Sequence, residues 1–128
     1  MVRVCARVRP LLPEEIGEEE CIRTEPNKVT LSNNYRLKQT NFHQVFDKNC
    51  SQQLVFEQSA LNLLEDCLRG YSCTLLAVGQ NQSGKSFTIE GGDSEETKGV
   101  VPRCIDYLGT RLASEGANQK ILLRVSYI

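Results

Sequence analysis

Tryptophan is missing from this 128-residue chain, aromatic residues make up only 6% of it, and methionine and histidine occur once each. A core made from such a chain rests on aliphatic side chains and cysteine rather than on large rings. The six cysteines, Cys5, Cys21, Cys50, Cys67, Cys73 and Cys104, include no Cys-x-x-Cys pair, and the single His43 lies between Phe42 and Gln44, so the usual zinc spacings are excluded. Several of these thiols fall in strand or helix patterns, where cysteine acts as a small apolar residue; the expectation is free thiols in a reducing, cytosolic or nuclear compartment. No apolar run reaches the length of a membrane span, and Arg3 and Arg7 interrupt the apolar N-terminus, unlike a signal peptide. Fifteen basic against sixteen acidic residues give a net charge of −1, so no overall field draws in nucleic acid or an anionic membrane.

What is present is ordinary globular material, 40% hydrophobic and 24% charged, enough for one core that buries roughly two-thirds of the extended-chain surface. Val2, Val4, Ala6 and Val8 alternate with Arg3, Cys5, Arg7 and Arg9, the period of a strand that Pro10 ends. Residues 11–20 dissolve into prolines and glutamates and read as a solvated acidic loop. Short strands are expected at 21–24, 28–31 and 35–41, with Ser32-Asn33-Asn34 as a hairpin turn, and a further strand at 42–46. Ser51 is a candidate N-cap for one helix to Arg69, stopped by Gly70, with Leu54, Leu61, Leu64 and Leu68 on one face and Phe56, Ala60, Leu63 and Cys67 beside them. Thr74-Leu75-Leu76-Ala77-Val78 reads as a buried strand parallel to the first. After an exposed loop at 90–99, Pro102 opens a helix with Val101, Ile105, Leu108 and Leu112 as its core stripe, and residues 120–128 alternate as a last strand. A domain seldom ends on an uncovered apolar strand, so the expectation is a C-terminally truncated domain.

The most informative stretch is Gly79-Gln80-Asn81-Gln82-Ser83-Gly84-Lys85-Ser86, which fits G-x-x-x-x-G-K-[ST] between the strand at 74–78 and a helix opening at Phe87-Thr88-Ile89. Gly79 and Gly84 let the backbone approach a phosphate that a Cβ would hold away. Main-chain N–H groups then converge on one anionic point, Lys85 carries an ammonium to the β- and γ-phosphate oxygens, and the Ser86 hydroxyl is the expected Mg²⁺ ligand. A chance match in a surface turn is expected at a frequency on the order of a few per thousand in a chain this short.

Further segments resemble a kinesin motor domain. Val2 to Leu11 is similar to the family's first strand with R-x-R-P; Phe42-His43-Gln44-Val45-Phe46 matches F-x-x-V-F; Gly79 to Ser86 with Phe87-Thr88-Ile89-Glu90-Gly91 resembles G-Q-T-G-S-G-K-T and its trailing aromatic-T-M-x-G; Gly99-Val100-Val101-Pro102-Arg103 matches G-I-I-P-R. The resemblance runs in order along residues 1–128 and identifies them as the N-terminal third of such a domain. It implies an α/β fold of the P-loop NTPase type, a mixed central sheet flanked by helices with a small antiparallel β appendage, in an incomplete domain. It implies that Arg7, Arg9 and Pro10 flank adenine and that Phe87 stacks on the base. It also implies ATP or ADP with Mg²⁺ as ligands, the microtubule as partner and a cytoplasmic, cytoskeletal location, with neither nucleic acid nor membrane involved.

Asn81 and Gln82 stand where the family carries Thr and Gly, so nucleotide affinity is expected to be weakened or altered rather than abolished. Motifs resembling N-x-x-S-S-R-S-H and D-x-A-G-x-E, which sense the γ-phosphate in this family, are missing from the 128 residues, and the main tubulin-contacting elements lie beyond the equivalent of Ile128. Two readings follow: the ATP-binding portion of a microtubule motor, without turnover on its own, or a non-enzymatic module that binds a nucleotide or a partner. A small GTPase or nucleotide kinase is disfavoured, because their phosphate loop usually follows the first strand.

Overall fold

The computed structural model describes residues 2–33 and 36–115. Strand β1 (Cys5–Arg7) pairs in parallel with β5 (Gln44–Phe46), in the register Cys5↔Gln44, Ala6↔Val45, Arg7↔Phe46. The ladder is longer than these strands suggest. Val8 N–H donates to the Phe46 carbonyl at one end, while at the other His43 N–H donates to the Val4 carbonyl and Val4 N–H donates to His43 Nδ1. His43 is thus an exposed residue that closes the strand pair.

The antiparallel appendage is β2 (Ile22–Glu25), β3 (Lys28–Asn33) and β4 (Arg36–Asn41), in the order β2-β3-β4. Ser32 and Asn33 belong to β3, paired with Leu37 and Arg36, so the hairpin closes later than the turn residues suggested. Inter-strand pairing outweighs the local turn preference of Ser and Asn when both flanks can complete a ladder. The Phe42 and Val45 amides donate to the carbonyls of Asn27 and Pro26, fastening the appendage to the β5 segment.

Ser51 caps the first helix as expected, its hydroxyl accepting from Leu54 N–H at 3.2 Å. The expected single helix is two, α1 (Gln52–Ser59) and α2 (Leu61–Leu68), divided at Ala60. There Ser59 Oγ donates back to the Val55 carbonyl at 2.6 Å, a bond that competes with the helical ladder and bends it. The buried side chains of this pair are Gln52, Val55, Phe56 and Ala60, whereas Leu54 and Leu68 are exposed.

Helix α3 (Lys85–Ile89) is followed by a tight loop and then α4 (Val100–Glu115). The loop is not wholly solvated as expected: a bridge between Gly91 and Lys98 closes it, and a Cβ on Gly91 or Gly99 would overlap backbone across that bridge. Arg103, buried, holds it from below, donating from Nε to the Lys98 carbonyl at 3.1 Å, from Nη2 to the Glu95 carbonyl at 2.6 Å and from Nη1 to Gln53 Oε1. The core gathers Phe46, Val55, Phe56, Ala60 and Val100, with Cys5, Cys50, Leu64, Cys104 and Tyr107 packed at its edge.

Two expectations are corrected. Residues 74–78 form no strand; Leu76 is 81% and Val78 90% exposed. A strand needs a neighbour on at least one edge, and no described residue pairs with this segment. The stripe on α4 is also rotated: Val101 and Ile105 are exposed and Leu108 and Leu112 half-buried, while Val100, Arg103, Cys104 and Tyr107 face the core. The strand expected at 120–128 lies outside the described residues. Among the described residues no helix is long and apolar enough to cross a membrane.

Candidate phosphate-loop site

The end of β1, the turn that follows it and the loop 79–86 meet at one cleft. Arg7, Val8, Arg9, Pro10, Asp47, Lys48, Cys50, Ser83, Gly84, Phe87 and Thr88 line it. An adjoining open depression is lined by Leu12, Gln82, Gly84, Lys85, Ser86 and Phe87. Of the sequence-predicted residues, Arg7, Arg9, Pro10, Gln82, Ser83, Gly84, Lys85, Ser86 and Phe87 therefore line these adjoining recesses, while Gly79, Gln80 and Asn81 form the exposed outer part of the loop.

Local geometry explains the loop's residues. Gly84 sits at φ 91°, the left-handed region open to glycine, and forms the N-cap of α3. A Cβ on Gly79 would come within 2.5 Å of Ser83 Oγ, so glycine there lets the loop fold tightly on itself. The Lys85 ammonium is turned back into the loop, donating to the carbonyls of Gly79 at 2.9 Å and Gln80 at 2.7 Å. These are exposed bonds to neutral acceptors, readily exchanged for stronger ones to a phosphate. In the first turn of α3 the amides of Lys85 and Ser86 have no intrahelical acceptor. A glycine-allowed curve, an ammonium at its mouth and a hydroxyl one residue on fit a polyphosphate with Mg²⁺. Asp106, the acid downstream in the sequence, is turned elsewhere, accepting from Lys98 Nζ at 2.9 Å.

Gln82 is the one described non-glycine residue with positive φ, at 61°. An L-residue there sits about 1–2 kcal/mol above its ordinary conformations, and the departure at this position noted in the sequence thus carries strain. Arg9 holds it, donating from Nε to the Gln82 carbonyl at 2.9 Å. The same guanidinium donates from Nη1 to the Pro10 carbonyl and to Glu15 Oε2, and from Nη2 to Glu15 Oε1 at 2.6 Å. Glu15 also accepts from Leu12 N–H at 2.8 Å. Arg9 foremost, then the Leu12 amide, hold its carboxyl down to about 2.

Arg7 is half-buried, and desolvation pushes its guanidinium below the usual arginine range. It donates from Nη1 to Gln52 Oε1 at 2.7 Å and Thr88 Oγ1 at 2.8 Å, and its Cζ lies 5.6 Å from the Phe87 ring centroid. A base stacked between the two would require about 7 Å, two contacts of about 3.5 Å each. Arg7 therefore backs Phe87, and the exposed side of that ring, 47% accessible as a residue, is what remains for a nucleobase.

Two residues of this neighbourhood were not found from sequence. Gln52, 4% exposed, donates from Nε2 to the carbonyls of Phe87 at 2.6 Å and Thr97 at 3.0 Å while accepting from Arg7. Its only signal was a polar residue just inside an N-cap. Glu15 lay in an acidic run that read as solvent-facing loop, and only the long-range geometry of Arg9 and Gln82 reveals its place.

Comparison with known proteins gives a consistent result. Residues 7–128 match the family described as Kinesin motor domain. The chain is 33% identical over 132 residues to a kinesin heavy chain of Neurospora crassa, covering 99% of this chain and 14% of that protein. It is 34% identical over 135 residues to the mouse kinesin-like protein KIF7, covering 99% of this chain and 10% of that protein. A solved structure described as that of a fast kinesin superposes with a TM-score of 0.85 at 33% identity, over 91% of this chain and 34% of that one. The chain thus spans about a seventh or less of these curated relatives and about a third of the solved chain, and its architecture is that of a P-loop NTPase.

Proposed function

Because the chain belongs to the kinesin motor domain family, we propose that it forms the ATP-binding portion of a microtubule motor, with residues 79–86 as its phosphate cradle. The observation that carries this reading is the placement of Lys85: its ammonium sits over the loop's own carbonyls at 2.7–2.9 Å, in the position where terminal phosphate oxygens would replace them.

The loop amides and Lys85 bind the phosphates, and the Ser86 hydroxyl is the chain's Mg²⁺ ligand. When bound, Mg²⁺ neutralises and orients the β- and γ-phosphates. Phe87 offers its exposed side to the adenine, Arg7 stiffens that ring from behind, and Arg9 and Pro10 bound the base-proximal wall of the cleft. In the complete motor, hydrolysis is coupled to movement along microtubules, and the protein resides with the cytoskeleton. The 128 residues by themselves bind nucleotide and do not turn it over.

Titration with a fluorescent ATP analogue in Mg²⁺ tests the site. Lys85→Ala is expected to weaken binding at least about tenfold, the loss of a charge-assisted contact. Equal affinity for both proteins would remove the assignment. Phosphate release at background with or without microtubules is the accompanying expectation; microtubule-stimulated turnover would overturn the separation of binding from hydrolysis.

A further inference from the structure

The guanidinium of Arg9 has five N–H groups, and four of them are engaged within the protein, to Gln82, Pro10 and both oxygens of Glu15. An arginine so committed is not free to grip a phosphate, and its charge is already compensated. Its planar fork does something else. With both terminal nitrogens locked on Glu15, the plane is fixed and only Nε faces the phosphate loop, where it holds the carbonyl of Gln82, the one described non-glycine residue in left-handed conformation. Glu15 is itself fixed, since it ends the short 3-10 turn Pro13–Glu15 and accepts the Leu12 amide, and Leu12 lines the same depression as Gln82 and Lys85.

We propose that Glu15 is a positioning residue of the nucleotide site: through Arg9 it braces Gln82, so that the turn after β1 sets the curvature of the phosphate loop. The proposal rests on the nucleotide-site reading above. It assigns a role to an acidic residue outside the loop pattern and explains how a longer side chain at position 82 is accommodated. Gln82 holds its strained backbone because a neighbouring arginine, oriented by a carboxylate, grips its carbonyl. Where a glycine occupied position 82, the brace would have little to do.

The test is a cycle on the 128-residue chain, with affinity for a fluorescent ATP analogue in Mg²⁺ as readout and circular dichroism melts to confirm the folded fraction. Glu15→Gln removes the charge and half of the fork, and is expected to weaken binding by about three- to tenfold. In a Gln82→Gly background the same substitution is expected to change affinity by less than about twofold, because glycine adopts the conformation unaided. Arg9→Lys, which cannot present the fork, gives the same loss as Glu15→Gln and no further loss in combination, and serves in its place should Glu15→Gln fail to fold. A bare structural role would produce equal losses in both backgrounds. Unchanged or tighter binding by Glu15→Gln, or a loss that persists undiminished with Gly at 82, overturns the proposal. If Lys85→Ala abolishes binding while Glu15→Gln is silent, the brace alone falls; if Lys85→Ala is silent too, the nucleotide site falls with it.

Discussion

At the scale of single residues, the neighbourhood of the loop is governed by charge placed beside backbone. Glu15 has its folded-state pKa lowered to about 2 from the usual value near 4.5. A depressed carboxylate contributes stability above its unfolded pKa, which is lost as pH falls through the folded one. The pair with Arg9 therefore persists in the folded chain down to about pH 2, while its contribution to stability shrinks as pH falls from about 4.5 to about 2. Melting temperature measured across that window is expected to fall more steeply for the natural chain than for Glu15→Gln; parallel curves would mean that the pair does not form. Sequence alone showed Lys85, Ser86 and the two glycines, because their roles depend on local spacing. It could not show Glu15, whose partner Arg9 meets Gln82 only through the fold, nor that Arg7 stands behind Phe87 rather than across an open slot from it.

At the scale of elements, the buried amide of Gln52 joins pieces that share no ladder. It ties α1 to the middle of α3, to the loop before α4 and to Arg7 on β1. Replacing it with alanine leaves the carbonyls of Phe87 and Thr97 without this donor and removes one acceptor from Arg7, a loss of about 2–4 kcal/mol. A urea midpoint unchanged in Gln52→Ala would show that water substitutes freely. The positions of β1 to β5 and the Ser51 cap were legible, because period-two alternation and cap chemistry are local. The division at Ala60 was not, since Ser59 gives no sign in sequence that its hydroxyl turns back to Val55. The stripe on α4 failed for a different reason: apolar spacing says which residues could be covered, while the neighbours decide which are, and here Arg103 is buried and Ile105 is 61% exposed.

At the scale of the whole molecule, the described core is small and several apolar side chains lie outside it. Leu75, Leu76 and Val78 before the phosphate loop, with Val101 and Ile105 on α4, all present apolar surface to solvent. Such exposure promotes association, and the isolated chain is expected to bind a hydrophobic dye and to sediment as more than a monomer at high concentration. Replacing Leu76 and Val78 by lysine should reduce both signals, and a natural chain that is monomeric and dye-silent would contradict the exposed arrangement. Sequence patterning anticipated the appendage and the helical regions, but gave the first strand a parallel neighbour in residues 74–78, whereas β5 takes that place. Hydrophobicity marks a segment fit for a sheet interior; only a neighbouring strand makes it one.

The grip of Arg103 has an implication for how this molecule can diverge. It holds the loop before α4 through the main-chain oxygens of Glu95 and Lys98, atoms that every amino acid supplies. Side chains at 95 and 98 can therefore be exchanged with little effect on the loop's outline, whereas Arg103 and the crowded glycines beneath it admit almost no alternatives, so that descendants of this chain could acquire new surface chemistry there while inheriting the same silhouette.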